Sequence, residues 1–93
     1  MITSKERAQL RAMANPIETI GQVGKDGVTD AVAASMEQAL AARQLVKYRV
    51  LENSMLTARE AATELAERCR ADVVQVIGTR FVLYRADPEN PII

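Results

Sequence analysis

Hydrophobic and polar positions recur with the period of a helix in three segments of the chain. Before the first segment, Thr3 and Glu6 have the identity and spacing of a capping box, which is typical of the start of a helix. The segment should end near Ala14, because Pro16 disfavours helical backbone at the residue before it. A first helix is therefore predicted between these two signals.

The second and third helical segments have equally clear signals at their starts. Thr29 is a candidate N-cap, and apolar residues recur at positions 28, 32, 36 and 40, so the second helix should run from about Thr29 to Arg43. Thr57 and Glu60 form a second capping box. An apolar stripe follows it as far as Cys69, which predicts a third helix.

Four further segments have the composition of β-strands. In residues 17–23 and 45–51, alternate side chains would lie on opposite faces of a strand. In the second segment, Val46, Tyr48 and Val50 would lie on one face and Lys47 and Arg49 on the other. Residues 73–77 and 81–84 are apolar and rich in β-branched side chains. Because Gly78-Thr79 lies between these last two segments, they are predicted to form a β-hairpin.

The predicted order of elements, α-β-α-β-α-β-β, indicates an α/β (α+β) fold: one compact domain over residues 1–86, followed by an irregular tail over residues 87–93. Alternating helices and strands favour parallel neighbours, and the closing hairpin adds an antiparallel pair, so the four-stranded sheet should be mixed. We expect the three helices to cover one face of this sheet. Lys47 and Arg49 alternate with apolar residues and should point into solvent from the other face, which no helix is expected to cover.

Composition limits the functions open to the chain. Its 93 residues suit a single domain, and they include one Cys and no His. Zinc sites of the Cys/His type and the Ser-His-Asp and Cys-His catalytic arrangements are therefore excluded, and we expect no enzyme activity, no metal and no cofactor. A single Cys suits a reducing cytoplasm, and no stretch approaches the roughly 20 apolar residues of a membrane span. We therefore expect a cytoplasmic protein without a membrane partner.

The sequence Gly24-Lys25-Asp26-Gly27 lies between the first strand and the second helix. Glycine permits close approach of backbone to a ligand, and the start of a helix offers free N–H groups and partial positive charge, which suit a phosphate. A G-x-x-G loop of this kind clamps RNA backbone in KH domains. The alternative is a turn that needs two glycines, with Lys25 and Asp26 merely solvated.

The basic residues are unevenly placed along the chain. Since 12 Lys and Arg residues balance 12 Asp and Glu residues, the net charge itself gives no evidence for nucleic-acid binding. Segments 39–51 and 73–86 nevertheless contain basic residues and no acid, whereas acids gather on the third helix, in the loop after the second strand and near the C-terminus. The basic residues concerned, with those of the first helix, are Lys5, Arg7, Arg11, Arg43, Lys47, Arg49, Arg80 and Arg85. They either form a basic surface or simply solubilise exposed elements.

Two tyrosines have the chemistry to stack on nucleic-acid bases. Tyr48 and Tyr84 each lie in an apolar strand pattern, however, which favours packing inside the protein over base stacking. Cys69 lies on the apolar stripe of the third helix, which favours a small buried side chain over a nucleophile.

Six short strings follow one another between about residues 3 and 85. They are Asn15-Pro16-Ile17, Val23-Gly24-Lys25-Asp26-Gly27-Val28-Thr29, Glu37-Gln38-Ala39-Leu40, Leu45-Val46-Lys47-Tyr48-Arg49-Val50, Val74-Gln75-Val76-Ile77-Gly78 and Val82-Leu83-Tyr84-Arg85. Each is a weak signal alone. Together, and in this order, they resemble the CRM domain in its bacterial single-domain form, the YhbY family.

The resemblance implies a fold like the C-terminal domain of translation initiation factor three, and it implies RNA binding without catalysis. Bacterial members associate with precursors of the large ribosomal subunit, so the expected partners are large-subunit rRNA and the ribosomal particle, with the protein acting as a monomer. By position, Gly24 and Gly27 match the family's G-x-x-G loop. The candidate RNA-binding residues are Gly24, Lys25, Asp26, Gly27, Lys47, Arg49, Arg80 and Arg85, with Lys5 and Arg11 as extensions.

The chain departs from the family pattern in its charge. Family members are often clearly basic, whereas this chain is neutral, and Asp26 places a negative charge in the loop that should meet phosphate. The alternative function is therefore a protein-interaction module that uses the open sheet face or a sheet edge and has little affinity for RNA.

Overall fold

A computed structural model describes residues 2–93 and contains three helices and four strands in the predicted order. The structure is a single α+β domain, as the sequence predicted. Its elements are α1 (Ser4–Ala14), β1 (Thr19–Val23), α2 (Asp30–Arg43), β2 (Leu45–Val50), α3 (Ala58–Cys69), β3 (Asp72–Ile77) and β4 (Arg80–Tyr84).

The starts of the helices are capped as the sequence predicted. The Thr3 hydroxyl accepts a hydrogen bond from the Glu6 amide at 3.1 Å, and the Glu6 carboxylate accepts one from the Thr3 amide at 2.9 Å. Thr57 and Glu60 form the same reciprocal pair at the start of α3. Each box satisfies two of the N–H groups that a helix end leaves without a partner inside the helix. Thr29 caps α2 by accepting from the amide of Val32.

The four strands form one mixed sheet in the order β1-β2-β4-β3. β1 and β2 are parallel neighbours, whereas β4 runs antiparallel to both β2 and β3. The β3–β4 hairpin turns at Gly78, whose positive φ of 57° glycine adopts without steric cost. The parallel pair and the closing hairpin are therefore confirmed, and β1 and β3 are the two edge strands.

β1 begins later than predicted. The Ile17 amide donates to the Ala14 carbonyl at 3.0 Å, so the chain is still turning away from α1 at this residue. The pairing of β1 with β2 shifts between Thr19 and Gly21. Gly21 lies directly against the ring of the buried Tyr48, and a Cβ at this position would overlap that ring. Glycine is therefore required here by packing.

The main core lies between α2, α3 and one face of the sheet. Its buried members come from both helices and from the inward positions of β1, β2 and β4. Almost all of them are aliphatic, which agrees with a chain that has one Phe and no Trp. The largest fully buried side chains of this cluster are Val23, Met36, Leu40, Val46, Leu65, Phe81 and Leu83.

The first helix lies on the opposite face of the sheet, and the prediction that all three helices cover one face was wrong. Leu10 and Ala14 of α1 are buried in a second cluster with Leu45, Val82 and Tyr84. These strand residues alternate with members of the main core, so they point to the other face. Because α1 has its own apolar stripe to bury, it covers the apolar end of that face and leaves only the remainder open to solvent.

The segment after β4 contains no helix or strand, and Gln44 holds it on the domain. The Gln44 side-chain oxygen accepts from the amides of Asp87 and Ile92, and its nitrogen donates to the carbonyl of Asn90 at 2.8 Å. Ile93 then packs against the cluster beneath α1. One side chain therefore positions most of residues 87–93.

Candidate nucleic-acid interface

The part of the second sheet face that α1 leaves open carries a row of polar and basic side chains. Gln22 of β1 is the register partner of Arg49, and Arg49 is the partner of Arg80. Arg80 is in turn the partner of Ile77 on β3. Since neighbouring strands lie about 4.8 Å apart, this row spans about 15 Å from one edge of the sheet to the other.

Lys47 begins a second row beside the first. It is the partner of Val82, which is the partner of Gln75 on β3. The two rows together form the open face, which we define by its polar and basic members Gln22, Lys47, Arg49, Gln75 and Arg80. The prediction that Lys47 and Arg49 share a face is confirmed, and Arg80 of β4, another candidate residue, lies on the same face.

Two shallow hollows lie on the open face, and no acidic residue lines either of them. The first is bounded by Asn15, Lys47, Gln75, Ile77, Arg80, Phe81 and Val82. The second is bounded by Thr19, Ile20, Gly21, Gln22, Arg49 and Arg80. Because Arg80 borders both, they form one continuous surface whose charged residues are all basic.

The basic side chains of the open face have no acidic partner. The ion pairs between side chains of residues 2–93 are Arg68 with Asp30 and Arg85 with Glu37, and neither lies on this face. Arg49 and Arg80 are exposed, Lys47 is half-buried, and Arg49 donates a long hydrogen bond of 3.4 Å to Gln22. The positive charge of the face is therefore not neutralised within the described chain.

One cluster of acids lies on the opposite side of the sheet, although the net charge of the chain is zero. Glu60, Glu64 and Glu67 are exposed on α3, which covers the opposite face of the sheet. The open face thus presents a local positive potential that the overall composition hides. The structure brings Lys47, Arg49 and Arg80 together on this face.

The Gly24–Gly27 loop lies at the corner where the open face meets the start of α2. Gly24 directly follows Val23, and Val23 pairs with Val50, the residue after Arg49. The loop closes on itself through the Gly27 amide, which donates to the Gly24 carbonyl at 3.0 Å. The loop therefore lies just past the end of β1, between the sheet and the start of α2.

The two glycines of the loop differ in what the backbone requires. Gly27 has a φ of 71°, a conformation that favours glycine, and a Cβ there would also lie 3.4 Å from Leu56. A Cβ at Gly24 would make only an ordinary contact, 3.8 Å from Leu51. The fold therefore explains Gly27, but it does not explain why position 24 is a glycine. Lys25 and Asp26 between them are exposed.

The start of α2 behind this loop is held by α3. Arg68 donates to the carboxylate of Asp30 at 2.7 Å and to the carbonyl of Val28 at 3.2 Å. The guanidinium therefore offsets the negative charge of Asp30 in the first turn of α2. The sequence does not show these contacts, because the partners of Arg68 are about 40 residues away in the chain.

Arg85 is not brought together with the other candidates. Its guanidinium forms an ion pair of 2.6 Å with Glu37 of α2 and donates to the Cys69 carbonyl at 3.0 Å. The hydrogen bond from Arg85 lowers the pKa of Glu37 and raises that of Arg85 itself. Arg85 thus connects α2, α3 and the end of β4 and faces away from the open face.

The two remaining candidates lie on α1. Lys5 and Arg11 are both exposed, and neither borders the hollows of the open face. Arg11 instead lines a groove at the edge of β3 with Arg7. Arg7 donates to the Val73 carbonyl of that edge. Spacing along the chain does not separate Arg11 from Lys5, because their surroundings depend on how α1 crosses the sheet.

Both tyrosines are buried, as their strand patterns favoured. Tyr48 is 2% exposed, and its hydroxyl is hydrogen-bonded to that of Ser35. Tyr84 is 4% exposed beneath α1, and burial raises the pKa of its hydroxyl. Neither ring is available for a base to stack on. Cys69 is also buried, and burial raises the pKa of its thiol.

Within residues 2–93, no three side chains of His, Cys, Asp or Glu come together in a group that could hold a metal ion. The helices of the same residues are all too short or too polar to cross a membrane.

Comparison with known proteins places this arrangement in a family. The family model of the CRS1 / YhbY (CRM) domain matches residues 2–85. The chain is 39% identical over 90 residues to the protein named "Probable RNA-binding protein YqeI" of Bacillus subtilis, a match that covers 97% of this chain and 94% of that protein. It is 29% identical over 91 residues to a protein of Haemophilus influenzae named "RNA-binding protein", covering 98% and 92% of the two chains.

A solved structure has the same fold. The solution structure of protein SAV1595 from Staphylococcus aureus superposes with a TM-score of 0.84 at 38% sequence identity. The match covers 100% of this chain and 97% of the other. None of the named relatives is described as an enzyme.

Proposed function

Because the chain belongs to the CRS1 / YhbY (CRM) domain family, we propose that it is a non-catalytic RNA-binding protein whose open sheet face and Gly24–Gly27 loop bind the RNA backbone. The names of its relatives in Bacillus subtilis and Haemophilus influenzae support RNA as the ligand. The finer proposal is that the RNA is ribosomal and that binding occurs during assembly of the large (pre-50S) subunit.

One observation carries this proposal: the open face holds Lys47, Arg49 and Arg80 with no acid on its lining. RNA phosphates bind most strongly where Lys and Arg are not already paired with carboxylates. The zero net charge does not oppose this, since no acid lines the hollows of the open face and three acids lie on α3, on the far side of the sheet. A phosphate on the open face therefore meets the local field of the basic rows.

The Gly24–Gly27 loop is proposed as the second contact. Gly24 needs no glycine for its own packing, and the absent side chain lets a phosphate approach the backbone closely. Lys25 adds a mobile cation, while Asp26 disfavours an anion beside it. Because both side chains are exposed, Asp26 can turn toward solvent as phosphate enters.

The proposed contacts position RNA without reading its sequence. Lysine and arginine contacts to phosphate are the same for every sequence, so they supply affinity and register. Since no aromatic ring is exposed on the open face, base stacking does not contribute there. Selectivity should instead come from the shape of the RNA or from exposed single-stranded bases. We propose that the protein acts as a cytoplasmic monomer on a ribosomal particle.

The test is binding to large-subunit rRNA fragments and to an unrelated structured RNA, measured over a series of salt concentrations. The variants are wild type and the double substitution Lys25→Glu with Lys47→Glu. We expect salt-sensitive binding by wild type, a preference for large-subunit RNA, and loss of binding in the double variant. Absence of wild-type binding at low salt would contradict RNA binding and favour a protein partner. Equal binding to both RNAs would contradict only the ribosomal part of the proposal.

A further inference from the structure

A groove runs along the outer edge of β3, on the side that pairs with no other strand. Backbone and side chains of residues 73–77 form its floor. Arg7 and Arg11 of α1 line it from one face of the sheet, and Arg59 near the start of α3 lines it from the other. Three arginines from two separate helices therefore converge on one edge strand.

The groove is basic and continuous with the open face. No acidic residue lines it, and within residues 2–93 none of its three arginines forms an ion pair. Gln75 and Ile77 border both this groove and the hollow that contains Lys47 and Arg80. A polyanion that lies on the open face can therefore continue over Ile77, which is 62% exposed, into the groove without meeting a carboxylate.

An exposed edge strand can also accept an extended peptide, but two features of β3 disfavour that partner. The pairing of β3 with β4 shifts between Val73 and Gln75, which marks a β-bulge that interrupts a regular edge. In addition, Arg7 donates to the Val73 carbonyl, so one acceptor that an added strand would use is already occupied. Bulges and charged side chains are the means by which sheets prevent strand addition.

From these observations we infer that the β3-edge groove is a second binding site for RNA, taking a single strand that continues from the open face. Arg11 and Arg59 would contact backbone phosphates on either side of the strand edge. The unpaired N–H and C=O groups of residues 75–77 would then lie within reach of base edges. Hydrogen bonds to bases do not need the regular pattern that an added peptide strand would need. This inference rests on the proposed function, because it extends the same RNA beyond the open face.

The test compares two lengths of a fluorescently labelled oligouridine, which is single-stranded and unstructured. An oligomer of about four nucleotides should occupy the open face alone, whereas one of about twelve should reach the groove. The variant is Arg11→Gln with Arg59→Gln, which removes two charges and spares Arg7 and its bond to Val73. The matched control is Arg43→Gln with Arg70→Gln, two exposed arginines that border neither surface.

We expect the Arg11/Arg59 variant to bind the longer oligomer about tenfold more weakly, with a salt slope smaller by about 1.4, and to bind the shorter one as wild type does. The control variant should match wild type with both lengths. The inference is overturned if the longer oligomer binds the Arg11/Arg59 variant and wild type equally, which would leave the arginines as protection against strand pairing. It is also overturned if a labelled poly-glutamate peptide binds the groove more tightly than the RNA does. Failure of wild type to bind either oligomer would instead contradict the proposed function.

Discussion

Arg49 and Arg80 are direct cross-strand partners on β2 and β4, and both side chains are exposed on the same face of the sheet. Like charges directly opposite each other destabilise a sheet. No carboxylate on the open face relieves this repulsion. An anion bound between the two guanidinium groups would do so, so we expect this pair to be a phosphate-binding site.

Substitution of Arg80 by Gln should therefore separate stability from binding. We expect the free energy of unfolding at low salt to rise by a few tenths of a kcal/mol, because the repulsion with Arg49 is removed. RNA affinity should fall several-fold at the same time. Urea unfolding and RNA titration of the same protein would measure both.

The control for this experiment is Arg43→Gln, which removes the same charge from the exposed end of α2. It should leave RNA affinity unchanged and lower the free energy of unfolding slightly, because Arg43 lies in the last turn of α2, where a positive charge is favourable. If Arg80→Gln destabilised the fold and left RNA affinity intact, Arg80 would be a structural residue. Arg49 and Arg80 would then not form a phosphate-binding site.

Substitutions of the two glycines of the Gly24–Gly27 loop should also separate an effect on stability from an effect on RNA binding. Gly27→Ala should cost about 1–2 kcal/mol of stability, because an L-residue is strained at a φ of 71°. Gly24→Ala should leave the thermal unfolding midpoint near that of wild type, since its Cβ meets only Leu51 at 3.8 Å. The same substitution should weaken RNA binding if phosphate approaches the backbone there.

Thermal unfolding and RNA titration of the two alanine variants would check this expectation. Wild-type affinity in a folded Gly24→Ala variant would show that the loop is only a turn, which is the alternative that the sequence left open.

Arg85 should behave as a structural residue. Arg85→Met keeps the apolar stem and removes the bonds to Glu37 and to the Cys69 carbonyl, so we expect a loss of about 1 kcal/mol from the latter bond. RNA affinity and its salt dependence should be unchanged. A loss of affinity comparable to that of an open-face variant would contradict the separation of Arg85 from the binding surface.

The Arg85–Glu37 pair also gives an expectation for pH. Because Arg85 lowers the pKa of Glu37 in the folded state, the contribution of the pair is fully present above the ordinary pKa of a glutamate. It is lost as the pH falls through the lowered value. The difference in unfolding free energy between wild type and Glu37→Gln should therefore be larger at pH 7 than at pH 3. An equal difference at both pH values would show that the pair does not titrate.

Local signals predicted the elements well because each is set by neighbouring residues. Thr3 with Glu6 and Thr57 with Glu60 form their capping boxes within a single turn, and Gly78 marks the hairpin from its own conformation. The order of helices and strands follows from such signals. So does the shared face of Lys47 and Arg49, which alternation alone determines.

The position of α1 could not be predicted in the same way. The helix packs on the sheet face that has apolar side chains not covered by α2 and α3. Those side chains are Leu45, Val82 and Tyr84, which come from two strands far apart in the sequence. Leu45 lies on the same face as Lys47, so an apolar end to the basic face was the available signal. Because Lys47 and Arg49 are charged, the whole of this face of β2 was predicted to be exposed to solvent, and the apolar Leu45 at its end was not taken into account.

The candidate site was only partly predictable for a related reason. Arg80 and Lys47 line the same hollow because β4 lies beside β2. Arg59 lines the edge of β3 because α3 begins near the end of that strand. Neither juxtaposition is visible in spacing along the chain. Arg85 comes directly after β4, the strand that contains Arg80, so the sequence grouped the two. Its hydrogen bonds to Glu37 and to the Cys69 carbonyl instead direct it away from the open face.

The most direct test of the central claim is the salt dependence of RNA binding for wild type and for Lys47→Gln with Arg49→Gln, with Arg43→Gln and Arg70→Gln as the charge-matched control. If the open face binds phosphate, the slope of log affinity against log salt should be smaller by about 1.4–1.8 in the open-face variant and unchanged in the control. Affinity should fall about equally for RNAs of different sequence. An identical slope in wild type and the open-face variant, with both folded, would contradict the claim that this surface binds RNA.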